Sequence, residues 1–370
     1  MSLSLIRRAV VALAATSVSL MGVSLTPAAA TAAAEPGAVY VLGNQPSGNR
    51  VLVYDRAPGG TLTAAGSVDA GGLGTGGGLG SQGAIITDAP GRYVYAVNAG
   101  SNSIAAFRVT PRGLERTDVV ASGGVMPTSL TVHEGLLYVL NAGGAGSVVG
   151  FTVKNGDLEQ LPGSVRPLSG SATAPAQVSF TPSGDQLVVT ERATQHIDLF
   201  AVGGDGYATG PTVVDSEGVT PFGFGFDNKG HLVVSEAFGG APDRSAVSTY
   251  DVGAGSLVTV TASAPTTETA ACWVAVTGNG RFAYSGNAGG SVTGYEVAPD
   301  GSLTILDADG RTAAPGAGVF DLDTTRNGQF LYGRLGNGTV GAWAIAADGH
   351  LTDLGAAPGL PAGAVGIAAA

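Results

Sequence analysis

Hydrophobic and polar positions alternate in short runs along the chain, most fully in residues 127–162, PTSLTVHEGLLYVLNAGGAGSVVGFTVKNGDLEQLP. Four strands fit this stretch. PTSLTV is the first, His133-Glu134-Gly135 a tight turn, LLYVLNA the second, SVVGFTV the third after a Gly-rich turn, and LEQLPG a weak fourth beyond Lys154-Asn155-Gly156-Asp157. Val, Leu, Tyr and Phe fill the runs while Asn, Gly and Asp fill the gaps, the composition of β-meanders joined by tight turns. One four-stranded meander cannot bury both of its faces, so it must stack on others.

The rest of the chain supplies them. Aligned on the end of the second strand, the sequence gives Gly43 in YVLG, Asn98 in YAVN, Asn141 in YVLN, Glu191 in VVTE, Glu236 in VVSE, Asn287 in YSGN and Leu335 in YGRL, spaced 43 to 55 residues apart. The third strand supplies a second column: Tyr54, Phe107, Phe151, Phe200, Tyr250, Tyr295 and Trp343. First strands read SQGAII, PTSLTV, PAQVSF, PFGFGF, ACWVAV and VFDLDT, one fewer than the columns. The first copy begins at its second strand, and the missing strand is available at the far end in residues 362–369, AGAVGIAA. A ring closes most strongly when one blade is made from both ends of the chain, because it cannot then open without breaking a sheet. The expectation is an all-β, seven-bladed β-propeller of four-stranded blades, residues 35–370, with the C-terminal strand completing blade 1.

Residues 1–34 read differently. Arg7-Arg8 precede an apolar run over residues 9–25, and the small-residue tract PAAATAAAE offers cleavage after Ala30 or Ala34, as in a secretory signal peptide. The run is shorter than the ~20 apolar residues a membrane-spanning helix needs. A secreted, extracellular protein with no membrane association after cleavage is expected. Losing Arg7 and Arg8 leaves 15 basic against 28 acidic residues, and only Lys154 and Lys229 as lysines. Nucleic acid is therefore not an expected partner, since binding it rests on clustered Lys and Arg. The single Cys272 forms no intrachain disulfide, so stability must come from packing and ring closure. A monomer is expected.

The blade grammar, P-x-x-x-x-F-x-P-x-G-x-x-x-V-x-x, a turn, x-x-x-x-F-x-V and a D-G-x-L turn, resembles the 6-phosphogluconolactonase family of seven-bladed propellers, which includes 3-carboxymuconate lactonizing enzymes. APAQVSFTPSGDQLVVTERATQHIDLFAV and APDGSL at 298–303 carry the likeness best. The resemblance implies a pocket at one mouth of the channel, where fourth-to-first and second-to-third strand loops converge and His, Arg and Glu side chains open a lactone. Position by position, the His opening blade 4 falls on Ala176, beside Gln177, and the Arg-His pair opening blade 5 falls on Phe222-Gly223. The acidic residue ending the second strand of blade 5 falls on Glu236, and the Asp-Arg pair of blade 6 falls on Asn287-Ala288. Of these ionic groups only Glu236 is retained. The expected function is binding of a small molecule or glycan at the mouth with little or no lactone hydrolysis; the alternative is an active secreted lactonase using Glu236.

The same mouth gathers Glu191 and Arg192 from blade 4, Arg334 from blade 7 and His196. Glu236 and Glu191 are the candidate catalytic pair, able to act as acid and base if their environments split their pKa values; the competing reading is that they pair with arginines or hydrogen-bond loop amides. Arg192, Arg334, Trp273, Phe222, Gln177 and Asn287 are the candidate ligand-binding residues, with Trp273 and Phe222 offering an apolar wall. No cofactor or metal is called for. The G-x-G-x-x-G at residues 72–77 lies between strands with no helix to receive a pyrophosphate and reads as a flexible loop, and Asp307-Ala308-Asp309-Gly310 reads as a solvated turn. Cys272 reads as a small core residue with no basic neighbour to ionise it.

Overall fold

The computed structural model describes residues 37–370. Residues 1–36, and with them the expected signal peptide and both cleavage positions, lie outside the described residues. Seven antiparallel sheets follow one another, each meandering from first strand to fourth. Val365–Ala369 pairs with Gly37–Leu42 through Val39↔Ala369, Tyr40↔Ala368, Val41↔Ile367 and Leu42↔Val365, so the end of the chain does complete blade 1. Among the described residues no helix is long and apolar enough to cross a membrane.

Both columns fall into register. Second strands end at Leu42, Asn98, Asn141, Glu191, Glu236, Asn287 and Leu335, so only Gly43 lies one residue past its strand. Every member of the third-strand aromatic column is buried. Each such ring contributes ~1.5–3 kcal/mol by leaving water. The fourth strand of blade 3 is split into Asp157–Gln160 and Arg166–Pro167, both pairing with Ser147–Lys154.

Adjacent blades are also stitched by tyrosines. Tyr138 donates its hydroxyl to Gly206 O at 2.8 Å, Tyr284 to Gly349 O at 2.7 Å and Tyr332 to Gly60 O at 2.8 Å, each reaching from a second strand to the third-to-fourth turn of the next blade. These turn glycines are required twice over. Gly349 has φ +87, and a Cβ there would sit 2.5 Å from the Phe282 ring.

Two local expectations change. The first strand of blade 2 is only Ile85–Thr87, not residues 81–86, because Gly83 at φ +80 turns the chain and Ser81-Gln82 leave the sheet. The glycine-rich stretch after blade 1 has no helix but is not loose. Gly74 N donates to Gln45 O at 2.9 Å, Gly76 N to Asn44 O at 2.8 Å, and Asn44 Nδ2 to Gly77 O at 2.6 Å and Gly363 O at 3.2 Å. It ties blade 1 to the segment leading into the closing strand.

Candidate ligand site at the channel mouth

The mouth forms where each first strand begins beside the end of a second: Pro127 pairs with Asn141, Pro175 with Glu191, Pro221 with Glu236 and Ala271 with Asn287. Immediately before these strands stand Met126, Ala174, Thr220 and Ala270, all left-handed at φ 55, 49, 61 and 55. Each turned peptide presents its carbonyl to the residue following the second strand, as in Ala237 N to Thr220 O at 3.0 Å and Ala288 N to Ala270 O at 3.0 Å. A non-glycine residue pays ~1–2 kcal/mol for that conformation, so the rim is held in place by the bonds it makes.

The second-strand column has a shared task. Four of its polar members, Asn98, Asn141, Glu191 and Glu236, hold the segment that crosses from the preceding blade. Asn98 Nδ2 donates to Ala70 O at 3.0 Å and Asn141 Nδ2 to Ser122 O at 3.3 Å. Glu191 accepts from Ser169 N at 3.1 Å, Ser169 Oγ at 2.5 Å and Thr194 Oγ1 at 2.6 Å. Glu236 accepts from Gly218 N at 2.9 Å, Ser263 Oγ at 2.7 Å and Ser248 Oγ. Both carboxyls are fully buried and held in separate blades. Burial pushes the Glu236 pKa up, with the three donors pulling it back. Asn287 is also buried, its Nδ2 donating to Ser291 Oγ at 3.0 Å and Thr293 Oγ1 at 2.9 Å.

The arginines and aromatics form one band. The Arg192 guanidinium lies over the Phe222 ring at 5.1 Å, and that of Arg334 lies over Phe320 at 5.0 Å. Between them Trp273 packs edge-on against Phe222 at 5.2 Å and Phe320 at 5.6 Å. Trp273 is 7% exposed, so it supports the band from within, and Phe320 presents more surface than Trp273 does. Arg192 Nε donates to Ala174 O at 3.1 Å and Arg334 Nη2 to Phe320 O at 3.2 Å. Among the described residues neither arginine forms an ion pair. Burial lowers both pKa values, with Asp321 pulling Arg334 back up at longer range. Arg334 also lines a hollow of about 320 Å³ between residues 335–338 and 360–363.

Beneath the band the channel is crossed by Gln82, which the sequence did not single out. Gln82 of blade 2 donates from Nε2 to Val274 O at 2.6 Å and accepts from Val274 N at 3.0 Å, and its own amide donates to Ala176 O at 3.1 Å. Trp273 Nε1 donates to Ser81 O at 3.1 Å. Blade 2 is thereby bonded to blades 4 and 6. A side chain at Gly223 would collide with Gln82 Oε1, so the amide takes the space that a larger residue opening blade 5 would need. Gln177 makes the same kind of bond to the next blade, donating to Phe224 O at 3.0 Å and accepting from Phe224 N at 2.7 Å.

Deeper in the channel a cavity of about 290 Å³ is lined by Thr87, Thr131, Ser179, Asp321 and Asp323 among others. Burial raises the Asp323 pKa to about 7 and that of Asp321 well above the usual carboxylate range. Asp323 Oδ2 accepts from Ala369 N at 2.8 Å, tying blade 7 to the closing strand. Cys272 is buried as expected, but a basic neighbour is near: the Arg192 charge pulls its pKa down while burial, the larger effect, pushes it up to about 12. Among the described residues no group of three or more His, Cys, Asp or Glu could hold a metal ion.

Fold and mouth together define a class: a seven-bladed propeller closed by a strand from its far end, with a loop-built, arginine-bearing mouth. Residues 34–166, the span of the first three blades, match the family described as Lactonase, 7-bladed beta-propeller. Over those blades the chain is similar to the lactonase propellers, the likeness that the blade grammar carried. No curated protein matches its sequence. Among solved structures, a putative 6-phosphogluconolactonase from Bacteroides fragilis is similar at 20% identity and TM-score 0.66, covering 90% of this chain and 98% of that one. A protein from Lactobacillus plantarum is similar at 18% identity and TM-score 0.71, covering 90% and 99%. The periplasmic gluconolactonase of Pseudomonas aeruginosa is similar at 16% identity and TM-score 0.65, covering 89% and 98%. At these identities the likeness is one of fold.

Proposed function

We propose that this chain is a secreted binding propeller that holds an anionic small molecule or acidic glycan at the channel mouth, with little or no lactone hydrolysis. The observation that carries the reading is the pair of guanidiniums, Arg192 and Arg334, stacked on Phe222 and Phe320 with no ion-pair partner among the described residues. A guanidinium lying on a ring keeps its edge free for a carboxylate or phosphate, while the ring favours the flat face of a ligand. Glu191 and Glu236 are fully buried and each accepts from three donors, which disfavours either as the water-activating base a hydrolase would need.

The alternative, lactone hydrolysis through Glu236, is favoured by one observation, the upward shift of its pKa, which suits a group that moves protons. Calorimetric titration of residues 35–370 with sugar acids and muconates, beside hydrolysis assays with their lactones, separates the two. Binding without turnover, weakened ~10- to 100-fold by Arg192→Ala or Arg334→Ala as expected for one lost charge-assisted contact, supports the proposal. Replacing Trp273 by Ala weakens retention more than Glu191→Gln or Glu236→Gln. Lactone hydrolysis that disappears in Glu236→Gln overturns the binding reading in favour of the enzyme, and a similar loss in Glu191→Gln would make the two a pair. Hydrolysis unaffected by either change places the chemistry elsewhere.

A further inference from the structure

Blade 4 departs from blades 5 and 6 at one buried position. In blade 5 the column residue Glu236 pairs with Ala246, and two residues on, Ser248 donates its hydroxyl to Glu236. In blade 6 Asn287 pairs with Ser291, and two residues on stands Thr293, hydrogen-bonded to Asn287. In blade 4 Glu191 pairs with His196, and the residue two further on is Asp198. Where blades 5 and 6 place a hydroxyl beside the column residue, and blades 2 and 3 the apolar Ala105 and Val149, blade 4 places a second carboxyl.

Both carboxyls of blade 4 are fully buried, and one amide serves them together: Ser169 N donates to Glu191 Oε1 at 3.1 Å and to Asp198 Oδ2 at 3.0 Å. Asp198 Oδ1 has no hydrogen-bond partner among the described residues. Two carboxylates that close and that buried cannot both be charged. A proton on Asp198 restores the donor that Ser248 supplies in blade 5.

We propose that Asp198 carries a proton that it donates to Glu191, and that this proton is a pH-sensitive latch holding the Ser169 crossing segment over the mouth. The segment runs on to Ala174, whose carbonyl holds the Arg192 guanidinium, so the latch also sets the pose of a mouth arginine. Around the pair stand His196, whose Nδ1 is 3.9 Å from Glu191 Oε2 and whose Nε2 is 3.4 Å from Asp215 Oδ1 on the fourth strand. Arg166, from the split fourth strand of blade 3, is held away by Ala208 O at 2.7 Å. Burial is the largest influence on Asp198, followed by its hydrogen bond and charge contact with Glu191, and together they raise its pKa to about 8. A raised carboxyl pKa adds stability that is complete below the unfolded value near 4 and is lost as pH rises through the folded one. The latch therefore holds in acid and at neutrality and slackens in alkali. It stands whether or not a ligand binds at the mouth.

Asp198→Asn is the direct test, since its Oδ1 can accept from Ser169 N and its Nδ2 can donate to Glu191 at every pH. Melting temperatures of residues 35–370 and of the variant are compared from pH 5 to 9.5, so that shared contributions such as Asp323 cancel. The wild type is expected to lose ~3 °C or more relative to the variant across that range. Amide hydrogen exchange at residues 169–173, corrected for intrinsic rate, is expected to rise at least ~10-fold in the wild type alone. Should Asp198→Asn not accumulate folded, Glu191→Gln, which removes the charge opposing Asp198, is expected to flatten the same slope. A melting-temperature gap that stays constant with pH, or exchange that rises equally in both proteins, overturns the proposal.

Discussion

Deleting residues 362–370 removes the closing strand and leaves every other blade whole. Val365 and Ile367 are both buried there, and their exposure costs ~3–6 kcal/mol together at ~1.5–3 kcal/mol each. The ladder to Gly37–Leu42 is lost with them. So are the bonds from Ala369 N to Asp323 Oδ2 and from Arg56 Nη2 to Ala370 O. Stranding a buried polar group costs ~1–3 kcal/mol. The loss is on the order of 5–10 kcal/mol, against ~5–15 kcal/mol for a whole domain. Scanning calorimetry of the full and shortened chains should show a fall on the order of 10–20 °C, or no cooperative transition. Ile367→Ala, worth ~2–5 kcal/mol, should lie between them. A synthetic peptide of residues 362–370 added in trans should recover part of the loss by adding a strand to the open edge. Equal melting temperatures for the full and shortened chains would refute the shared-blade account.

Two further outcomes follow from the same structure. Gly349→Ala is expected to destabilise by ~2–4 kcal/mol, adding overpacking against Phe282 to left-handed strain; Gly355→Ala, at φ +91 with nothing within 4 Å, should cost only the strain, and equal denaturant midpoints for the two would show that the packing contact carries no weight. N-terminal sequencing of protein recovered from culture medium is expected to begin at Thr31 or Glu35, and an intact Met1 in a membrane fraction would show the segment to be an anchor.

The repeat was legible because it is local. Strand ends, aromatic column and turn glycines each recur at blade spacing, and the offset of one strand announced the closure. The column also carried a warning: Glu191 and Glu236 stand where Asn98 and Asn141 stand, and a position shared by Asn and Glu across blades is one that a buried hydrogen-bonding task would select. Glu236 drew its catalytic candidacy from the family likeness and Glu191 from the equivalent strand end one blade earlier, and the burial of both comes from the blade. Gln82 was not legible, since its partners Ala176 and Val274 lie across the ring and no spacing in the chain encodes that contact. Asp321 and Asp323 left a signal that went unread, two acids at alternate positions of an innermost strand, which face one side together. Asp198 becomes unusual only when strand register shows it at the position that Ser248 and Thr293 hold in blades 5 and 6, and register needs the structure.

The pairing of Gly37–Leu42 with Val365–Ala369 has a consequence in time. Gly37–Leu42 meets its inner neighbour only after the other six blades have been made, so a chain that stops short of Val365–Ala369 cannot close the ring. Blade 1 keeps an open edge throughout synthesis, and the contacts that complete it span more of the sequence than any others in the fold. Folding of this propeller is therefore committed only once Val365–Ala369 has been made, and until then the growing chain remains a row of blades with no closed ring.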